Sequence, residues 1–245
     1  TSSGDRFSQQ QNIFGESIDL SKIWKLPEVK DWGVREILEK ERTILGFYYS
    51  GHPLNYFNIF LKDLNIKDIS NINVDKDFIF ESVGVVVQVN ERSSRNGRFA
   101  RVLISTNTSL TEVTIYSDVY HNKKELLKLG TEIYLKISVM KGVNNGNRFL
   151  VKEICLLEDK INSFIKLFEI TLSKDIDMES FINFCKSYAV SGNKIIQYPL
   201  HFILEDVENN VVKIETKQYI KSPILFTKKI AGYPNVISIC PIIKK

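Results

Sequence analysis

The chain has 245 residues, 43% hydrophobic and 25% charged, the balance of an ordinary globular protein. Its 33 basic and 29 acidic residues leave a formal net charge of +4, which permits nucleic-acid contact without demanding it. Such a length suits one large domain or two to three small ones. No run of about 18 apolar residues offers a transmembrane helix, and no signal peptide is visible. Cys155, Cys185 and Cys240 are far apart in apolar settings and make no CxxC. They read as buried thiols of a reducing, cytoplasmic compartment. The first residue is Thr, so the chain reads as a piece of a longer protein.

Residues 1–20 are rich in Ser, Gln, Gly and Asn and read as a flexible arm. Residues 21–78 form a helical lead and connector. Val34, Ile37, Leu38, Ile44, Leu45 and Tyr48 fall near helical spacing, with Asp31 as N-cap and Ser50-Gly51 as the stop before Pro53. A second short helix spans about residues 54–63. Residues 79–158 switch to a strand rhythm. FIFESVGVVVQVNE, RFARVLIS, LTEVTIYS, TEIYLKISVM and NRFLVKEICLLE are strand-like runs separated by turn residues, with one helix in DVYHNKKELLKLG. Three strands, a helix and two strands is the order of a five-stranded OB barrel, and the helix argues against an SH3-like barrel. Residues 159–245 follow a βαββαβ order, a small α/β domain. The predicted class is therefore multi-domain α+β: a helical lead, a five-stranded OB-fold β-barrel and a small C-terminal α/β domain.

The segment ERTILGFYYSGHPL, residues 41–54, resembles the LGFYLSGHPL segment of the bacterial replicative DNA polymerase III alpha subunits. The surroundings agree in order: Pro27 and Trp32 before it, an OB fold after it, a small domain at the end. One departure concerns the stretch after the second barrel strand. Where the family carries an acidic LED-x-x-G, this chain has Ile104-Ser105-Thr106-Asn107-Thr108-Ser109. The resemblance implies a C-terminal piece of a DNA-directed DNA polymerase, a nucleotidyltransferase whose polymerase domain, with its Mg2+, lies upstream. The piece itself is expected to hold no cofactor and no metal.

Catalytic chemistry is not legible in the residues. Polymerases hold two metal ions on carboxylates, and two D-x-D pairs occur, Asp75/Asp77 and Asp175/Asp177. Neither has a third carboxylate nearby. The second precedes a predicted helix, where Asp serves as a cap. His52, between Gly51 and Pro53, reads as a corner residue rather than a catalytic one.

OB folds hold single strands across strands two and three and between two loops. Here the first loop carries Arg92, Arg95 and Arg98, with Arg101 just after, and the second is flanked by Lys141 and Arg148. If Ala100, Val102 and Ile104 fill the barrel, then Phe99, Arg101 and Leu103 face outward, giving a ring for stacking among cations. The DNA-binding candidates are thus Arg92, Arg95, Arg98, Phe99, Arg101, Lys141 and Arg148.

In the arm, Gln10-Gln11-Asn12-Ile13-Phe14 matches the Q-x-x-(Leu/Met/Ile)-Phe peptide with which this family engages its sliding clamp. Gln10, Ile13 and Phe14 are the candidate contacts; a register starting at Gln9 ends on the same Phe. The resemblance further implies that the last domain docks the clamp-loader tau subunit. An independent OB-fold single-stranded-DNA-binding protein is the alternative reading. An error-prone relative of the polymerase would lack both the clamp peptide and the full LGFYYSGHPL match.

Overall fold

A computed structural model describes residues 31–62, 64–72, 78–95, 97–141, 147–188, 198–205, 211–220 and 222–244. Gln10, Ile13 and Phe14, and the pair Asp75 and Asp77, lie outside the described residues.

Helix α1 spans Val34–Leu45 and differs from expectation at both ends. Gly33, not Asp31, is the N-cap and contributes no side-chain bond. The stop is Gly46, not Ser50-Gly51: its φ of 83° is left-handed, and its N–H donates to the Arg42 carbonyl at 3.0 Å. A Cβ would resist that conformation, so the helix ends where glycine permits it. The chain then folds back, because the Glu41 carboxylate accepts from the Ser50 hydroxyl and from the backbone N–H groups of Ser50, at 2.9 Å, and Tyr49, at 2.8 Å. Those bonds hold the Glu41 carboxyl below its usual range. A 3-10 turn, Pro53–Phe57, leads into helix α2, Asn58–Leu61, and together they bury Leu54, Phe57 and Phe60.

Strands β1 (Phe78–Ser94), β2 (Gly97–Ser105), β3 (Leu110–Ile115), β4 (Glu132–Lys141) and β5 (Asn147–Leu156) close into a barrel in the order β1-β2-β3-β5-β4. This is the OB arrangement that the element order implied. Helix α3, Ser117–Lys123, continues as a 3-10 turn, Lys124–Leu126, between β3 and β4. β1 pairs with β4 along its first half and with β2 along its second, and Val85 pairs with both Glu132 and Ser105. Gly84 stands at this changeover. A Cβ there would lie 3.3 Å from both Ile104 Cβ and the Ser105 carbonyl, so the close approach of β1 and β2 leaves a side chain little room. Phe80, Val86, Ala100, Val102, Ile104, Val113, Ile133, Leu135 and Ile137 fill the interior.

Helix α4, Leu157–Phe164, joins the barrel to the C-terminal sheet, where the sequence pattern predicts that Leu157 and Glu158 close a strand. Leu157 and Ile161, one turn apart, are both buried, a helical signal too short to stand out between two strands. Strand β6, Ile165–Leu172, runs parallel to β7, Tyr198–Glu205, across helix α5, Met178–Ser187. Strand β8, Val211–Ile220, returns antiparallel to β7. Helix α6, Pro223–Ile230, then leads to β9, Val236–Ile243, antiparallel to β6, giving the order β8-β7-β6-β9. Asp177 caps α5 as expected, accepting from the N–H groups of Glu179 at 3.1 Å and Ser180 at 3.3 Å. The cysteines divide. Cys185 is buried, and burial pushes its thiol up to about 12. Cys155 is half-buried, and Cys240 is exposed, against expectation, because Pro241 takes the inward position of β9 and alternation turns its neighbour out.

One apolar cluster links all these parts. Leu54, Phe57 and Phe60 of the lead, Val83, Val85 and Tyr134 on the outside of β1 and β4, and Phe168, Phe181, Phe202 and Phe226 of the C-terminal unit belong to it. Ile133, Tyr134 and Leu135 are consecutive and all buried, since β4 faces the barrel interior on one side and this cluster on the other. The β1–β4 wall is covered, and the β2–β3 wall stays open.

Candidate nucleic-acid interface

The open wall follows from register. Phe99 pairs with Arg92, Arg101 with Asn90 and Leu103 with Gln88, and paired residues share a face. Ala100, Val102 and Ile104 have no exposed surface, so the alternation expected for β2 is observed and the other set faces outward. The outward set therefore contains Arg92, Phe99 and Arg101 together with the amides of Gln88 and Asn90. On β3 Glu112 is exposed and Thr114 half-buried, and Tyr116, just past its end, is exposed. Thr114 is in register with Leu150 of β5, so Arg148, two residues before Leu150, joins the same face.

Not every predicted residue gathers there. Arg98 pairs with Ser93 and takes the parity of Ala100, on the opposite side of the hairpin from Phe99. Its charge instead acts on Glu91, whose carboxyl is held low chiefly by the Lys124 ammonium donating to it at 2.9 Å. Lys141 is exposed but takes the opposite parity to Met140, the register partner of Arg148. Arg95 is exposed in the β1–β2 turn.

Sequence reasoning missed two features of this wall. The Tyr116 ring lies 6.1 Å from Phe99, so the platform is a pair of aromatics rather than one. Alternation through LTEVTIYS carried that signal, since Tyr116 shares the parity of Glu112 and Thr114. The wall also holds an acid: Arg101 pairs with Glu112 at 3.6 Å. Both partners are about half exposed, so the pair is worth about 0–1 kcal/mol, and a phosphate can take the place of Glu112 at little cost.

At the far end of β2 the wall is closed by the lead. Ser105 is outward by parity yet buried, because His52 sits on it with Nε2 3.0 Å from the Ser105 hydroxyl. His52 Nδ1 accepts the Leu54 N–H at 3.2 Å, so Nε2 carries the proton of a neutral ring. Burial lowers the His52 pKa to about 4. The folded state therefore binds fewer protons than the unfolded chain, and its stability falls as pH drops from 6.5 toward about 4. After allowance for solvent around the half-buried ring, this loss is about 1–2 kcal/mol relative to a His52→Gln variant. Urea titrations of both proteins across that window check it, and a constant difference would contradict it.

The β2–β3 turn carries no acid of its own and is held by one from the connector before the barrel. Asp68, before the 3-10 turn Ile69–Asn71, accepts from the Thr108 hydroxyl at 2.6 Å, the Thr106 hydroxyl at 3.2 Å and the Ser70 N–H at 3.0 Å. Burial raises the Asp68 pKa, but these bonds outweigh it and leave the carboxyl below its ordinary value. Among the described residues no group of three His, Cys, Asp or Glu could hold a metal ion, and no helix is long and apolar enough to cross a membrane.

No family model matches the chain. Comparison with known proteins nevertheless finds relatives. DNA polymerase III subunit alpha of Aquifex aeolicus (strain VF5) is 28% identical over 121 residues, 48% of this chain and 10% of its own length. The subunit of Neisseria meningitidis serogroup A is 19% identical over 201 residues, 81% of this chain and 17% of its own. The relatives are alpha subunits of DNA polymerase III. The resemblance read from residues 41–54 thus extends over much of the chain, which spans at most about a sixth of either alpha subunit. Among solved structures, the mitochondrial single-stranded DNA binding protein Rim1 of S. cerevisiae is 18% identical, covering 34% of this chain and 97% of that one at a TM-score of 0.30. That likeness is too weak to add to the strand order of the barrel itself.

Proposed function

We propose that the chain is a C-terminal part of the catalytic subunit of a bacterial chromosomal replicase, a DNA-directed DNA polymerase. The polymerase chemistry and its Mg2+ belong to the upstream part, and this region tethers and guides. The arm peptide Gln10–Phe14 engages the sliding clamp, the barrel wall holds single-stranded template, and the C-terminal unit docks the clamp-loader tau subunit. The observation that carries the reading is the open β2–β3 wall: an aromatic pair flanked by Arg92, Arg101 and Arg148 on a barrel whose other wall is packed shut. The shared core of lead, barrel and C-terminal sheet favours a replicase region over an independent single-strand-binding protein, which has no use for either flanking part.

Docking of tau cannot rely on most of α6, since Pro223, Ile224 and Phe226 are buried and among the apolar residues of SPILF Leu225 alone is exposed. Capture of purified tau by the immobilised chain tests that arm, and absence of retention removes it. For the barrel, weak binding of a single-stranded oligonucleotide with a steep salt dependence is expected. Arg92→Ala with Arg101→Ala, the two arginines that share the outward face with Phe99, lowers the slope of log affinity against log salt by about 1–2. Fluorescence anisotropy at several salt concentrations measures it, and an unchanged slope means that neither arginine meets phosphate.

A further inference from the structure

Beside the His52 corner, a cleft of about 450 Å³ opens between the segment after α1 and the β2–β3 turn. Phe47, 54% exposed, and Tyr49, 78% exposed, stand at it, and Leu110 on β3, register partner of Ser105, closes the side toward the barrel wall. The fold does not need the Tyr49 ring there, because the backbone of Tyr49 is already fixed by Glu41. Arg42 lines the cleft, with a buried Nε that has no hydrogen-bond partner. The exposed Asn107 adds an amide. The hydroxyls of Thr106 and Thr108 are engaged by Asp68, so the turn behind is held still.

We infer that this cleft is a nucleobase subsite at the far end of the single-strand track, with Tyr49 as its stacking ring and Arg42 as its cation. The inference rests on the proposed single-strand reading of the barrel wall and extends it beyond the barrel. An open aromatic ring, an amide and a guanidinium match a base with a flat apolar face, a polar edge and a phosphate beside it. Phe99 and Ser105 are six residues apart on β2, about 20 Å at about 3.3 Å per residue. About six stacked nucleotides span that distance, fewer if the strand is extended. A strand that stacks on Phe99 and Tyr116 and follows the wall past Arg101 and Leu103 arrives at Leu110 and the cleft.

The test is anisotropy of a labelled oligothymidylate of about twelve nucleotides, long enough for both ends of the track. The full chain is compared with Tyr49→Ala, Tyr49→Phe and Phe99→Ala. Tyr49→Ala is expected to weaken binding about tenfold while Tyr49→Phe, which keeps the ring, binds as the parent does. If Tyr49→Ala binds like the parent while Phe99→Ala is weakened, the subsite is refuted and the barrel track stands. If the parent does not bind at low salt, both fail. If Tyr49→Phe is weakened as much as Tyr49→Ala, stacking is not the interaction and the subsite is refuted as stated.

Discussion

Replacing Phe168 by Ala is expected to lower the free energy of unfolding by about 3–5 kcal/mol, the largest effect of any single change considered. Phe168 lies on β6, one of the two inner strands of the C-terminal sheet, and has no exposed surface. Its ring meets Phe60 of α2 at 6.3 Å, Phe226 of α6 at 6.4 Å and Tyr198 of β7 at 6.5 Å, all edge to face. Truncation removes the transfer energy of the ring and leaves a cavity walled by three other aromatics on three other elements. Rigid rings from separate elements collapse poorly, which places the cost at the upper end for a core truncation. A domain stable by about 5–15 kcal/mol keeps little in reserve after such a loss. Urea unfolding followed by circular dichroism measures it, and a change below about 1 kcal/mol would show that the ring is not the hub described.

The second large effect is on binding. Phe14→Ala is expected to weaken attachment to a purified sliding clamp by about 2 kcal/mol or more, about thirtyfold in Kd, with an unchanged circular dichroism spectrum. Ile13 and Phe14 are adjacent large apolar residues in a stretch rich in Ser, Gln and Asn. In a short peptide the aromatic anchor carries most of the affinity, because its burial in a preformed pocket must offset the ordering of the arm. Equal clamp affinity of parent and variant would sink the tether, whatever the barrel does with DNA.

The barrel was legible in the sequence where a strand keeps one wet and one interior face, because period-two alternation survives there. Ala100, Val102 and Ile104 against Phe99, Arg101 and Leu103 is the clearest case, and the structure gives it without change. Legibility failed where local grammar had two solutions. Both Gly46 and Gly51 can end a helix, and only the fold-back of Ser50 onto Glu41 selects the first. The run from Leu157 to Phe164 offers two inward residues, enough for two helical turns but not enough to distinguish them from the end of a strand. Arg98 and Phe99 adjoin in sequence, yet adjacency on a strand is what sends them to opposite faces.

The succession of strands, the interior face of β2, the Asp177 cap and the family resemblance are written in the chain, because these depend on periodicity, capping chemistry and short motifs within one stretch of it. Which barrel wall stays open depends instead on the folded molecule. Val83, Val85 and Tyr134 are outward residues that look like ordinary strand positions until Phe57 and Leu157 are seen to belong to the same core. The same holds for Ser105 lying under His52, for Asp68 holding the β2–β3 turn through Thr108, and for Tyr49 standing at a cleft rather than in a core. Each of these joins residues tens of positions apart. Their proximity is set by the free energy of burying one shared core, and no local pattern in the chain encodes it.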